Sequence, residues 1–284
     1  MKKLLLFLSV VSLLLPAYAY GQGSSKNSFL DCSLQLSARK NSKPVNGRLT
    51  RFYPGGQSKM HGYFANGKAQ GAIKGYYVDG TLQYDAYYEK GKLNGKVKTY
   101  NENGALEYEY IFKNGSAEGT AKKYYADGPL LSEVVYKNNK LNGFEIIYGK
   151  DGTVISRTWY NNNLAEGVSS KFYKNGLLRS EVEYRNGKAE GILKIYFEDG
   201  KPEAFVYFKN DVIDGHTTIF NEKEDNSYIE LIYKNGIVEN AYYVYGAGQK
   251  KELRQAQINK CEKRLSIENH INKTNFFVIS DISK

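Results

Sequence analysis

The chain has 284 residues, 41% of them hydrophobic and 25% charged, with a formal net charge of +10, 26 Tyr and 28 Gly but 5 Pro, 2 Met, 2 Cys and 3 His. That balance is ordinary for a folded protein, and past one N-terminal run no stretch approaches the roughly 20 apolar residues of a membrane-spanning helix. His61, His216 and His270 sit at unrelated places with no nucleophile, phosphate loop or metal-ligand spacing beside them, so catalytic, cofactor-binding and metal residues are all predicted to be none.

In chain order the first element is a leader. Lys2 and Lys3 precede the apolar run LLLFLSVVSLLLPA and then Ala17-Tyr18-Ala19, which reads as a secretory signal peptide over residues 1–19, with cleavage after Gly21 as the alternative. The reading predicts export to the periplasm, the outer cell surface or the extracellular space. Loss of Lys2 and Lys3 would leave a net charge of about +8, which favours acidic partners without naming one. Cys32 follows Phe29-Leu30-Asp31, residues too large and too acidic for a lipid-modified cysteine. Residues 20–46 read as an N-terminal cap or linker.

From Gly47 to Tyr245 the chain is a repeat. Gly stands at 47, 71, 95, 119, 143, 167, 191 and 215, every 24 residues, and a second glycine series runs 56, 80, 104, 128, 152, 176, 200. A third series, from Gly67, Gly91 and Gly115 through Asn139, Asn163, Gly187 and Asp211 to Gly236, admits only residues that tolerate a left-handed backbone. Two aromatic series keep the same period, one through Tyr76, Tyr100 and Tyr124, the other through Tyr88, Phe112 and Tyr136.

Each unit folds on paper as a β-hairpin. Asp-Gly or Asn-Gly between strand-like runs predicts a type I′ turn at segments such as VDG and ENG, and KNG, RNG or KNN then turns the chain into the next unit. Leu130, Ser132, Val134 and Tyr136 share one face, repeated by Leu178, Ser180, Val182 and Tyr184, while Glu133 and Glu181 point the other way. Such a hairpin cannot bury its own apolar face, so the units must stack. The expected fold is all-β: an elongated single antiparallel sheet of about eight stacked 24-residue hairpins, on the order of 75 Å long at about 4.8 Å per strand. Asp79, Asp127, Asp151 and Asp199 are read as turn residues with no acid, base or metal role.

The unit GxxxxYYxDGxLxxExxYxNGKxxG resembles the bacterial variant of the MORN (membrane occupation and recognition nexus) repeat, and strings of it resemble the YwqK antitoxin-like family. The resemblance implies a non-enzymatic binding or scaffold role, with phospholipid contact proposed for MORN repeats and toxin neutralisation for the YwqK group. It runs over about 190 residues of the chain.

The candidate partner-binding residues follow from the repeat. Lys74, Lys98, Lys122 and Lys194 occupy one place in their units and would form a basic row, either a track for a polyanion or acidic protein or a solvated face that prevents aggregation. Tyr77, Tyr125 and Tyr173 either pack the sheet or offer stacking surface to a partner. The partner is expected to be a protein, with an anionic lipid headgroup or an acidic polysaccharide as alternatives and no nucleic acid.

Residues 246–284 change character. QKKELRQAQINKCEKRLSIENHINK gains helix formers, with Leu253, Ile258, Cys261 and Leu265 at helical spacing, and reads as a capping helix; NFFVISDIS reads as a strand. Cys32 and Cys261 flank the array, and a bridge between them would require the tail to fold back along the sheet. Asn114 and Asn272 begin glycosylation-type triplets.

Overall fold

The structure is a computed structural model that describes residues 44–221 and 227–265. The leader, Cys32, His270, Asn272 and the NFFVISDIS run, and with them the signal-peptide and disulfide expectations, lie outside the described residues.

Among the described residues, twenty strands from Gly47–Phe52 to Gln249–Glu252 form one antiparallel sheet. Each pairs with its neighbours in sequence, as where Lys92–Tyr100 lies between Leu82–Glu89 and Leu106–Lys113. Two strands are split in the middle: Ser116–Ala117 and Gly119–Tyr124 both pair with Leu106–Lys113, and Leu164–Ala165 and Gly167–Phe172 both pair with Val154–Asn161. Every hairpin therefore contacts chiefly the hairpins before and after it, the one-dimensional arrangement that the 24-residue period requires.

The two turn types are assigned the other way round from the expectation. The Asp-Gly segments are not type I′. Gly80 N–H donates to Tyr77 O at 3.0 Å and Tyr77 N–H to Thr81 O at 2.8 Å, with positive φ at Gly80 alone, which is a type I turn closed by a glycine bulge. The type I′ turns are the KNG series, where two successive residues have positive φ: Asn114 at 52° and Gly115 at 86°, Asn138 at 50° and Asn139 at 63°. The physical reason is loop length, because the Asp-Gly loop carries an extra residue that the bulge absorbs, whereas the KNG loop has only two residues and must match the strand twist directly. With the turns alternating along the meander, all type I′ turns lie on one edge of the sheet and all Asp-Gly loops on the other.

The glycine series through 95 and 143 marks a bulge in each hairpin. Tyr88 faces Leu93 but Ala86 faces Val97, so two residues are taken up between these pairs. At Gly143 φ is +138° and a Cβ would sit 2.8 Å from Val135 Cβ, so a side chain is excluded twice over. One face is buried around Phe64, Ile73, Leu93, Val97, Val206 and Leu231, all at 0% exposure. Side chains this enclosed in a one-layer sheet require it to curve over them, and a bulge repeated at one place in every unit supplies that curvature.

At the C-terminal end the sheet runs further than expected: Gln249–Glu252, assigned above to the tail, is a strand paired to Ile237–Tyr245, with Tyr245 opposite Gln249. The helix follows as Gln255–Leu265. Among the described residues no helix is long and apolar enough to cross a membrane.

Candidate binding faces

Two sets of polar ties hold neighbouring repeats in register. In the first, a side chain just before each bulge reaches the type I′ turn twenty residues on. Gln70 Oε1 accepts from Lys90 N–H at 3.0 Å, Glu118 Oε1 from Asn138 N–H at 3.0 Å, and Glu166 Oε2 and Glu190 Oε2 from Asn186 and Asn210 N–H, both at 2.9 Å. Where the third glycine series reads Asn or Asp, the side chain returns a bond: Asn139, Asn163 and Asp211 accept from the backbone N–H of Ala117, Leu141 and Ala189 at 2.6 to 2.7 Å. These acceptors recur at the 24-residue spacing as Gln, Asn or Glu, a signal present in the sequence but not used above.

The second set answers what the candidate tyrosines do. Tyr77, Tyr125 and Tyr173 donate their hydroxyls to the backbone carbonyls of Tyr100, Tyr148 and Tyr196 at 2.7 to 2.8 Å, and Tyr53 does the same to Tyr76. Burial raises the pKa of all three candidates. Each ring thus closes an Asp-Gly loop over the next repeat, and its polar tip is committed to the fold.

Lys74, Lys98, Lys122 and Lys194 do share a face, the one opposite the core, but they do not form an uncompensated basic row. Lys74 faces Asp85, Lys98 lies between Asp85 and Glu109, Lys122 lies between Glu109 and Glu133, and Lys194 faces Glu181. Ion pairs close at 3.5 Å for Lys74–Asp85, 3.0 Å for Lys98–Glu109 and 2.9 Å for Lys194–Glu181. The hydrogen bonds that the ammonium groups donate to these carboxylates raise the pKa of Lys98 and Lys194. Burial pushes Glu109 up, but bonds from the Tyr124 hydroxyl and Lys98 outweigh it and hold the carboxyl below its ordinary value. The expected basic row is half of an alternating ladder, so its net potential is small.

Beside the ladder on the same outer face runs a row of apolar side chains. Tyr63, Tyr87, Ile111, Phe144, Trp159, Val168, Ile192 and Tyr207 are each 40% to 52% exposed. Phe144 lies directly opposite Trp159, their rings 4.8 Å apart edge to face, with the Arg157 guanidinium 5.3 Å from the Phe144 ring. Half-exposed aromatics in a line across many strands are a surface a partner can cover.

The inner face carries several polar interruptions, among them Glu145, Lys171 and the buried Thr99 and Thr217. Glu145 occupies the place that Val97 and Leu193 take in other repeats, and its carboxylate accepts from the Tyr160 hydroxyl at 3.2 Å. Burial raises its pKa. Lys171, two repeats beyond Lys123, is pushed down to about 8 by burial and by Arg179. Of the histidines, His61 lies 3.4 Å from the Tyr76 hydroxyl, and His216 lies 3.0 Å from Glu230, which also accepts from Lys250 at 2.6 Å. Among the described residues no group of three or more His, Cys, Asp or Glu could hold a metal ion.

Comparison with known proteins agrees with the repeat. The family model of the MORN repeat variant matches residues 93–114, 117–138, 165–186 and 189–210. Each match starts just after one type I′ turn and ends in the next, so the chain carries MORN-type repeats and is a repeat scaffold. No curated protein matches the chain. Among solved structures, a chain of the Photorhabdus luminescens Tc holotoxin pore, determined with a mutant TccC3, is similar at 10% identity over 71% of this chain, with a TM-score of 0.23. This chain spans 15% of that chain's length, and a likeness of that size carries no argument about fold or activity.

Proposed function

We propose that this MORN-type repeat chain is an exported, non-enzymatic scaffold that binds one protein partner at the cell envelope or outside the cell through the outer face of its sheet. The carrying observation is the half-exposed row from Tyr63 to Tyr207, with Phe144 and Trp159 at its middle. A protein surface suits it better than an anionic lipid or polysaccharide, because the adjacent ladder pairs Lys74, Lys98 and Lys194 with carboxylates and sets Lys122 opposite Glu109 and Glu133, which leaves little net charge to attract an anion. Aromatic side chains that lose water on contact are the usual energetic centre of protein interfaces. Export rests on Lys2, Lys3, the apolar run and Ala17-Tyr18-Ala19. The toxin neutralisation implied by the YwqK resemblance would use the same face with a toxin as the one partner.

The test is affinity capture from envelope extract and culture medium with the wild type and a Phe144→Ser/Trp159→Ser double variant. A protein retained by the wild type and lost by the folded variant supports the reading, and a small toxin in that place would specify the neutralising form. Equal capture by both would remove the outer face from recognition.

A further inference from the structure

The type I′ turns all lie on one edge of the sheet and carry most of the chain's excess positive charge. The eight four-residue segments from Ala65–Lys68 to Lys234–Ile237 hold ten Lys or Arg against two carboxylates, Glu89 and Asp211. On the opposite edge, among the described residues, the Asp-Gly and Asn-Gly loops hold three cations, and each is ion-paired: Lys150 with Asp127, Lys174 with Asp151, Lys201 with Asp199. Among the described residues, only Arg185 and Lys234 of the turn cations have a carboxylate within 4.0 Å, at 3.7 and 4.0 Å; Lys92, Lys113, Lys137, Lys140 and Lys188 are exposed, with no carboxylate of the described residues that close.

Their spacing is fixed by the fold. Gly91 N–H donates to Ala69 O at 2.9 Å, Gly115 N–H to Leu93 O at 2.7 Å and Gly187 N–H to Ala165 O at 2.9 Å, so successive turns are locked two strands apart, about 10 Å. Between the cations stand exposed carboxamides at Asn114, Asn138, Asn186 and Asn210, held in the left-handed region at φ of 50° to 53°. Seven of the eight turn segments carry at least one cation and the segment at 161–164 carries none; a strip of cations with amide donors and acceptors between them matches a linear chain of hydroxyls and carboxylates or sulfates. The turn segments hold no aromatic ring, so they lack the stacking platform that single-stranded nucleic acid uses. They also lack large apolar side chains from Ala65 to Lys140, so nothing there would enter a bilayer.

We propose that this edge binds a linear acidic polysaccharide, independently of the outer face and its protein partner. The probe is polygalacturonate, titrated against purified protein at low and physiological salt, with single-stranded DNA and phosphatidylglycerol vesicles as parallel arms. The edge variant carries K92Q, K113Q, K137Q, K140Q and K188Q, and the ladder variant carries K74Q, K98Q and K194Q. Circular dichroism establishes that both fold, as exposed substitutions allow. Wild type is expected to bind polygalacturonate with affinity falling steeply as salt shortens the screening length to about 8 Å. The edge variant should lose at least about tenfold, because like charges along one strip act jointly, while the ladder variant stays close to wild type. Failure of the wild type to bind at low salt, retained affinity in the edge variant, an equal loss in the ladder variant, or tighter binding to DNA or vesicles would each overturn the proposal.

Discussion

The outer repeats and the central ones solve the same packing problem with different side chains. From Met60 to Val97 and from Leu193 to Val244 the inner row is closed by Ile73, Val97, Leu193, Ile195 and Ile219, all at most 2% exposed apart from the intervening small residues. Between Ala121 and Lys171 the same row holds Lys123, Glu145, Ser169 and Lys171, and the outer face of that region collects Phe144 and Trp159. The polar ties do not change between them, since the tyrosine ties and turn ties run through both regions, although in the centre the strand over residues 164–172 is split in two. Register is held by repeated polar ties in both regions, so the centre keeps it with polar and charged residues in its inner row.

Breaking the comparison at its strongest point means emptying the flanking core. Leu193→Ala should cost about 2–5 kcal/mol, as for a fully buried leucine. Ser169→Ala, at the equivalent central place, loses only the 2.7 Å Thr158–Ser169 hydroxyl contact and should cost about 1 kcal/mol or less. Urea denaturation of both would show it, and equal costs would mean that the centre is as tightly closed as the flanks.

The central charges give the second handle. Burial raises the pKa of Glu145, so the folded state holds its proton longer than the unfolded one, and wild-type stability should fall as pH rises from 4.5 through the folded value. Glu145→Gln keeps an acceptor for Tyr160, removes that fall, and should be more stable than the wild type at pH 8. Lys171 has the opposite profile. With its pKa lowered to about 8 against 10.5 unfolded, the cost of its charge is fully present below pH 8 and is relieved as pH rises to 10.5. Lys171→Met should abolish that gain in melts across the same range.

The ties should be indifferent to region. Tyr125→Phe in the centre and Tyr77→Phe in the flank each lose one hydroxyl bond to a backbone carbonyl, and each should cost about 0.5–1.5 kcal/mol in chemical denaturation. A large difference between them would tie register to the local core after all. The smallest effect is expected at Lys90, which sits at φ 51° where other turns have Asn; Lys90→Asn should gain up to about 1 kcal/mol in the same assay.

Much of this was legible in the sequence, for a reason visible in particular residues. Two successive residues at positive φ leave Asn or Gly at most such places at a fixed spacing, so the meander of the repeats follows from Gly67, Gly91 and Gly115, while the strand Gln249–Glu252 lies beyond that pattern. The turn types did not follow, because Asp-Gly is compatible with both type I′ and a type I turn plus bulge, and the hydrogen bond from Gly80 to Tyr77 decides between them. The lysine row was correctly placed on one face. Its neutralisation was not legible, since Glu109 and Lys98 become neighbours only through the bulge-shifted register. The tyrosine ties span 23 residues and end on backbone carbonyls, which have no signature of their own.

Two in-register deletions test the central claim most directly: removal of Gly143 to Glu166 from the centre and of Gly71 to Asn94 from the flank, each 24 residues, compared by thermal melts. If 24-residue modules are held by ties and the centre contributes less core, both shortened proteins fold cooperatively and the central deletion keeps the higher melting temperature. Loss of cooperative folding in either, or a less damaging deletion in the flank, would contradict it.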